Sequence, residues 1–569
     1  MNKDSIKRLR VLSICIVLVA FIFFIKLYFL QVLHHDDFVE IADNQYVKKS
    51  GGIFSRGTIF FEDKDGGLVS AGTLKIGYIL AINPTILKDK EQVLEKISSI
   101  TDIDSEDFLA KASKSTDPYE EITKKIPEDK AIAIQNLKIP GVYLYKEQWR
   151  FYPGGKTAAN VLGFLGFKGD EYAGRYGLEK FYDKVLERNK DDVYANFFVE
   201  IFRNWQKTVS KDDSFEGDIV ATIEPSVQAT LEDTLAKVQT QYSSVETGGI
   251  IMNPKTGEIY AMADVPTFDP NDFSGEKDVS VFGNPLVDNV REMGSIIKPL
   301  TIAAGIDAGV ITPTSTYNDI GYVKANTMTI WNHDKKAHGI TSMQQVLNDS
   351  LNVGVSYVVS KLGNKQFSDY MGKFGLKEKT GIDLPNEAAN IVSNLDSPRD
   401  VEYYTASFGQ GIALTAISTI RALSVIANGG TLVTPHIIKK VNYKGGFFKN
   451  TDITTGPRAI KEETSKAVTK MLVEVVDTAL IQGKGKNDHY TIAAKTGTAQ
   501  VPSPNGGYYS DKYLHSFFGY FPAYDPKFIV FLYTYNPRTD NLFAADTLAL
   551  PFFDLSKFLI SYYELSPDR

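Results

Sequence analysis

Cysteine is nearly absent: the 569 residues contain one, Cys15. That excludes a disulfide within the chain and any cysteine cluster around a metal. Histidine is also scarce, seven in all, and no HExxH pair occurs. His333 and His338 lie in and beside Trp331-Asn332-His333-Asp334-Lys335-Lys336, which reads as a solvated loop and not as a zinc site. No metal and no other cofactor is expected. Excess positive charge is missing too: 62 Lys and Arg stand against 69 Asp and Glu, a net charge of -7. With no Lys/Arg stripe interleaved with aromatics, nucleic acid is set aside as a partner. Disorder is excluded by an ordinary composition, 43% hydrophobic and 23% charged. The length is too great for a single core, so two or more domains are expected.

Long apolar runs are absent with one exception. Val11 to Leu33 is broken only by Ser13, Lys26 and Gln31. At about 1.5 Å per residue it matches a bilayer core of about 30 Å. Lys3, Lys7, Arg8 and Arg10 precede it, which holds residues 1–10 in the cytoplasm and exports the rest. No small-x-small cleavage site follows, so the run reads as an uncleaved single-pass anchor. The expected location is the cell membrane, with everything after the anchor a soluble extracytoplasmic portion.

From Asp36 to Phe215 short β-like runs alternate with polar helices such as Lys88 to Ser99. No catalytic constellation occurs there, and residues 36–215 read as an extended mixed α/β spacer. A charged stretch at Ser210 to Gly217 marks a boundary. In residues 216–569 the pattern predicts a helix over Pro225 to Val238, and a hairpin from Gly248–Met252 and Glu258–Ala263. Later strands are expected at Ile492–Gln500, His515–Tyr520 and Phe528–Tyr535. Strands at both ends enclosing a helical middle predict an α+β fold, an antiparallel sheet against a helical cluster.

Three short motifs carry chemistry, and each has a decoy. Ser-x-x-Lys is expected roughly twice by chance at this length and occurs as Ser274-Gly-Glu-Lys277 and Ser295-Ile-Ile-Lys298. Lys-Thr-Gly occurs at 255–257 and 495–497, Ser-x-Asn at Ser350-Leu-Asn352 and Ser503-Pro-Asn505. Context chooses. Ser274 lies in a polar stretch with Gly275 after it. Ser295 opens an apolar run through Ile306, a buried helix whose free N–H groups favour developing negative charge. Lys298, three residues on, projects from the same face. A plain helix cap followed by a snorkelling lysine is an equal reading of that pair alone. Ser350 and Asn352 fall between two helical runs, the first opened by a Thr341-x-x-Gln344 capping box. Lys495-Thr496-Gly497-Thr498 opens a strand, where a cation and a hydroxyl can meet a carboxylate. Gly497 leaves room for a substrate backbone. Lys255-Thr256-Gly257 is spent on a turn.

In the order Ser295, Ser350, Lys495, the set resembles the penicillin-binding proteins and serine β-lactamases. The resemblance narrows to class B monofunctional transpeptidases on Ser55-Arg56-Gly57-Thr58-Ile59, Arg150-Phe-Tyr-Pro-Gly154, Ala159-x-x-Leu162-Gly163, Gly177-Leu178-Glu179, Gly217-Asp-Ile-Val-Ala-Thr-Ile223 with Gln228, Ser407-Phe-Gly-Gln-Gly-Ile412 and Lys495-Thr-Gly-Thr-Ala-Gln500. Departures are Met293 for the usual Pro, Glu224 for Asp, and Glu62-Asp-Lys-Asp-Gly66 as a loose version of an Asp-Arg-Asn-Gly stretch. The resemblance implies a pedestal domain and a transpeptidase domain. It implies Ser295 as nucleophile, Lys298 as base, Ser350 as proton relay and Asn352 orienting Lys298 and the substrate amide. The N–H groups of Ser295 and Thr498 would form the oxyanion hole, and Lys495 and Thr496 would hold a terminal carboxylate. Peptidoglycan stem peptides and β-lactams are the implied ligands. A membrane glycosyltransferase and other division or elongation proteins are the implied partners, with Ser407–Ile412 and Ser516-Phe-Phe-Gly519 leaning to division. Glu292 is expected to precede the helix and point elsewhere. A D,D-carboxypeptidase, a β-lactamase and a silent scaffold stay open.

Overall fold

The computed structural model describes residue 21 and residues 55–168, 171–188, 216–444, 446–539 and 543–569. The expected cytoplasmic tail and nearly all of the expected anchor at 11–33 lie outside them. Among the described residues no helix is long and apolar enough to cross a membrane. The chain divides into two compact units, one holding residues 74–149 and the other residues 56–73 with 150–569.

Strand β1 (Ile59–Glu62) pairs antiparallel with the start of β2 (Leu68–Ile82), both in the larger unit there. In the smaller unit the end of β2 is followed by α1 (Lys90–Ser98), α2 (Ser105–Ala112), β3 (Glu120–Ile126), α3 (Glu128–Asn136) and β4 (Val142–Phe151). β3 pairs antiparallel with the end of β2. The helices bury one stripe each, Val93 and Ile97 of α1, Phe108 and Ala112 of α2, Ala131 and Ile134 of α3, against Leu80 and Ile82. Their other faces are polar, as an amphipathic surface helix requires. The Asp104 side chain caps α2 by accepting from the N–H groups of Glu106 and Asp107 at 2.9 and 3.0 Å.

In the larger unit β5 (Gly217–Ala221) lies parallel to β1. The helix expected over Pro225 to Val238 runs on as α4 (Pro225–Tyr242). Glu224 is its N-cap: its carboxylate accepts from Val227 N–H at 2.7 Å and from the Tyr562 hydroxyl at 2.8 Å. The longer side chain thus serves where a shorter acid is the commoner cap. The expected hairpin forms from β6 (Glu246–Met252) and β7 (Ile259–Val265). Helices α5 (Lys298–Asp307), α6 (Met343–Asn348), α7 (Asn352–Leu362) and α8 (Ala416–Ala427) follow, with β8 (Ile438–Tyr443) pairing back to β5 and then α9 (Glu462–Glu474). The predicted cap of α6 is displaced by one residue. Ser342, not Thr341, accepts from Gln345 N–H at 3.2 Å, while the Thr341 hydroxyl is turned back to the Gly339 carbonyl at 3.2 Å.

Strands β9 (Ala493–Pro502), β10 (Tyr508–Phe521) and β11 (Phe528–Tyr535) complete a five-stranded antiparallel sheet in the order β9-β10-β11-β6-β7. Its strands read as near-continuous apolar runs because both faces are covered. Ile250, Phe518, Phe531 and Tyr533 face the helical cluster with α5 and α8. Ile251, Phe517, Val530 and Leu532 face α4 and the terminal helix α10 (Ala544–Tyr562). β9 stands at the edge of the sheet, so one side of its backbone is open to a further extended chain.

Candidate active site

Ser295 lies in a 3₁₀ turn, Gly294–Ile297, that runs directly into α5, with Lys298 as the first α-helical residue and Pro299 next. Proline costs nothing there, since a first-turn N–H has no helical partner. The turn is packed against β9. Gly294 has φ +68°, and a β-carbon on it would come 2.7 Å from the Thr498 carbonyl oxygen. A β-carbon on Gly497 would come 2.8 Å from the Met293 carbonyl oxygen. Two glycines therefore let the serine turn and the Lys-Thr-Gly-Thr strand touch backbone to backbone.

Ser350 joins the two lysines. It sits between α6 and α7 at φ +56°, a conformation that costs a non-glycine residue about 1–3 kcal/mol and persists only where its surroundings hold it. Its hydroxyl receives Lys298 Nζ at 3.2 Å and Lys495 Nζ at 3.0 Å. Lys298 Nζ also donates to the Ser350 carbonyl, and Lys495 Nζ to the Thr496 carbonyl at 3.1 Å. Lys298 is 0% exposed and Lys495 2%. Burial first, then the neighbouring Lys495 cation, pushes the Lys298 ammonium well below its ordinary range. Burial takes Lys495 down to about 8. Two buried lysine amines share one hydroxyl, with no carboxylate among their described hydrogen-bond partners.

Asn352 is placed beside this group but is turned to another partner: its side-chain N–H donates to the Trp331 carbonyl at 3.0 Å. No hydrogen bond from it to Lys298 is present among the described residues. Thr496 and Thr498 are partly exposed on β9, and the Thr498 hydroxyl accepts from Ala544 N–H at 3.2 Å. The decoys are elsewhere. Ser274 is exposed in a short 3₁₀ turn. Lys255 pairs with Asp525 in the β6–β7 turn, and Ser503 closes the β9–β10 hairpin through Gly507 O at 2.9 Å.

Several residues that hold the site gave little local signal. Asn332 was expected in a solvated loop; it is 1% exposed. It donates to both carboxylate oxygens of Asp319, at 3.0 and 2.9 Å, and accepts from Val353 N–H at 3.1 Å. His333 and His338 are exposed as expected, and among the described residues no group of side chains could hold a metal. Ser516 on β10 donates to the Met293 carbonyl at 2.7 Å. Thr301 of α5 donates to the Ser407 carbonyl at 2.8 Å. Partners of this kind are distant in sequence and visible only once the sheet is assembled.

The penicillin binding protein transpeptidase domain matches residues 247–553, more than half of the chain. The chain belongs to that family. A penicillin-binding protein dimerisation domain matches residues 55–196. Stage V sporulation protein D of Bacillus subtilis is 29% identical over 96% of this chain and 84% of its own length. Peptidoglycan D,D-transpeptidase FtsI of Buchnera aphidicola subsp. Baizongia pistaciae is 25% identical over 100% of this chain and 97% of its own. Among solved structures, penicillin binding protein 3 of Mycobacterium tuberculosis complexed with aztreonam covers 91% of this chain and 98% of that one, with a TM-score of 0.68 at 23% identity. In this class B penicillin-binding protein Ser295, Ser350 and Lys495 lie within the transpeptidase match.

Proposed function

We propose that this chain is a peptidoglycan D,D-transpeptidase that cross-links stem peptides through an acyl-enzyme on Ser295 and is acylated there by β-lactams. The observation that carries the reading is the Ser350 hydroxyl, within hydrogen-bond reach of both Lys298 and Lys495. Ser295 Oγ attacks the carbonyl between the last two residues of the donor, and neutral Lys298 takes the hydroxyl proton. The proton passes through Ser350 to the leaving amine. Lys495 and Thr496 hold the terminal carboxylate, which restores the negative charge that the two lysines lack. The N–H groups of Ser295 and Thr498 receive the oxyanion. Asn352 orients the donor amide. An amine of a second stem peptide then displaces Ser295.

The transferase reading is favoured over a hydrolase by the disposition of the nearest upstream acid. A hydrolase needs a group that activates water against the acyl-enzyme. Glu292 accepts instead from Gly411 N–H at 2.9 Å and the Tyr508 hydroxyl at 3.2 Å. We further infer an extracytoplasmic location behind a single-pass anchor, supported by the apolar run and the basic residues before it. We also propose a membrane glycosyltransferase and other division or elongation proteins as partners, with Ser407–Ile412 and Ser516–Gly519 leaning to division.

The test is labelling with a fluorescent penicillin and mapping of the adduct. A modified peptide containing Ser295, lost in Ser295→Ala and kept in Ser274→Ala, is the expected result. An adduct on Ser274, or none, overturns the reading.

A further inference from the structure

Glu292 has no part in the steps above, yet it is half-buried at the entrance to the nucleophile turn. The backbone around it is fixed independently of its side chain. Arg291 and Leu414 exchange N–H to carbonyl bonds at 2.9 and 2.8 Å, and Gly294 N–H donates to Gly409 O at 3.1 Å. The carboxylate therefore does something beyond holding its own strand. One oxygen, Oε1, receives both Gly411 N–H and the Tyr508 hydroxyl. The other, Oε2, is buried with no hydrogen-bond partner among the described residues.

Tyr508 begins β10 at the outer end of the β9–β10 hairpin, opposite Pro502. Proline offers no N–H to the ladder, and the register slips between Gln500 and Pro502. The hairpin is thus weakly zipped where Tyr508 sits, and its backbone runs from there to Lys495–Thr498. A side-chain tie at this point supplies what the ladder lacks.

We propose that Glu292 is a positioning residue, an ionised latch that clamps the outer β9–β10 hairpin and the 407–412 loop onto the segment leading into Ser295. An ionised carboxylate holds a phenol and a backbone N–H more strongly than a protonated one does. Burial raises the Glu292 carboxyl above its ordinary range, with the two donors pulling it back. Tyr508 is the titratable group that faces it, while Arg291 is paired with Glu246 at 2.7 Å. The clamp is closed above the Glu292 pKa and loosens as pH falls through it.

The inference rests on the transpeptidase reading, and the experiment separates the two. Whether an adduct forms on Ser295 tests that reading; the rate of its formation against pH tests the clamp. Full-length protein in detergent is acylated by a fluorescent penicillin from pH 4.5 to 9, as wild type, Glu292→Gln and Tyr508→Phe. Glu292→Gln is expected to slow acylation about fivefold to tenfold at pH 7.5 and to remove one ionisation from the acid limb. Tyr508→Phe is expected to slow it about threefold and keep that ionisation. Amide exchange in residues 500–510 should rise in both. Rates within twofold of wild type with an unchanged acid limb overturn the clamp, as does slow acylation with unchanged exchange. If Glu292→Gln does not fold, Tyr508→Phe decides alone by its rate and exchange.

Discussion

Gly294 and Gly409 stand back to back. The Gly294 N–H donates to the Gly409 carbonyl at 3.1 Å, and a β-carbon on Gly409 would collide with the Gly294 carbonyl oxygen. Gly409 also has φ +78°, so a side chain is strained there whatever room is made. The loop 407–412 is therefore a template for the turn that presents Ser295. Gly409→Ala should lower the acylation rate about 10²-fold, the cost of an ångström-scale misplacement at a reacting centre. Stopped-flow acylation with a chromogenic cephalosporin checks it, with circular dichroism as the control for folding. A rate near wild type refutes the template.

In the proposed mechanism the two lysines set opposite limbs of a pH profile. Lys298 works as a base only when neutral, so acylation rises with pH as it loses its proton. Lys495 must keep its charge to hold a carboxylate, so binding weakens as pH climbs past about 8. A bell-shaped acylation rate with a descending limb near or above pH 8 is expected. Lys298→Ala should cost about 10²–10⁴-fold. Because burial makes the Lys298 ammonium unfavourable in the folded protein, stability rises with pH up to the unfolded value. Lys298→Met should therefore raise the melting temperature at pH 7 while slowing acylation as Lys298→Ala does.

How much of this was legible in the sequence follows from range. Sheet and helix assignments rested on local periodicity, so Phe528–Tyr535 came out with both ends in place. β10 begins at Tyr508 and not His515 because its outer half is exposed and lacks an apolar pattern. The choice of Ser295 over Ser274 rested on the apolar run after it, which is the all-round burial of α5. The bracing roles of Asn332 and Ser516 were not legible, since their hydrogen bonds reach Val353 and Met293 from other elements.

A buried ion network in the larger unit gives a stability prediction. Glu179 is 0% exposed and accepts from Arg56 Nε at 2.7 Å, from Arg150 Nε at 2.5 Å and from the Tyr152 hydroxyl at 3.1 Å. Burial alone would raise this carboxyl; Arg150 and Arg56 reverse that and hold it below its ordinary range. Its contribution is present above the unfolded pKa and lost as pH falls through the folded one. Glu179→Ala leaves Arg150 without its carboxylate and Arg56 with Asp183 alone, and should destabilise by about 3–5 kcal/mol, read by chemical denaturation of residues 36–569.

Asp264 predicts the reverse sign. It is 6% exposed on β7, with Oδ1 lacking a hydrogen-bond partner among the described residues. Burial first, then Glu246, Asp288 and Glu232, pushes its carboxyl well above the ordinary range. Between the ordinary and the raised value the folded state binds the extra proton, so stability falls as pH rises through that window. Asp264→Asn should raise the melting temperature at pH 7.5 and give no gain near pH 4. Equal gains at both values, or a loss at pH 7.5, would count against a buried protonated acid.

The acceptor divides transferase from hydrolase. In the proposed mechanism the donor half of the reaction uses Ser295, Lys298, Ser350 and Lys495, and those residues would serve either enzyme. What differs is the fate of the acyl group. Glu292, the acid three residues upstream, is engaged with Gly411 and Tyr508, so it is not poised to draw a proton from water. The ester on Ser295 should therefore persist until an amine arrives, and Lys298 or Ser350 takes the proton that the amine sheds. Benzylpenicilloyl-enzyme is expected to last for many minutes in buffer. A thioester donor should be consumed faster when a D-amino acid is added, with the condensed product seen by mass spectrometry. Rapid release of penicilloate, and thioester turnover indifferent to added amine, would assign the chain to the hydrolases.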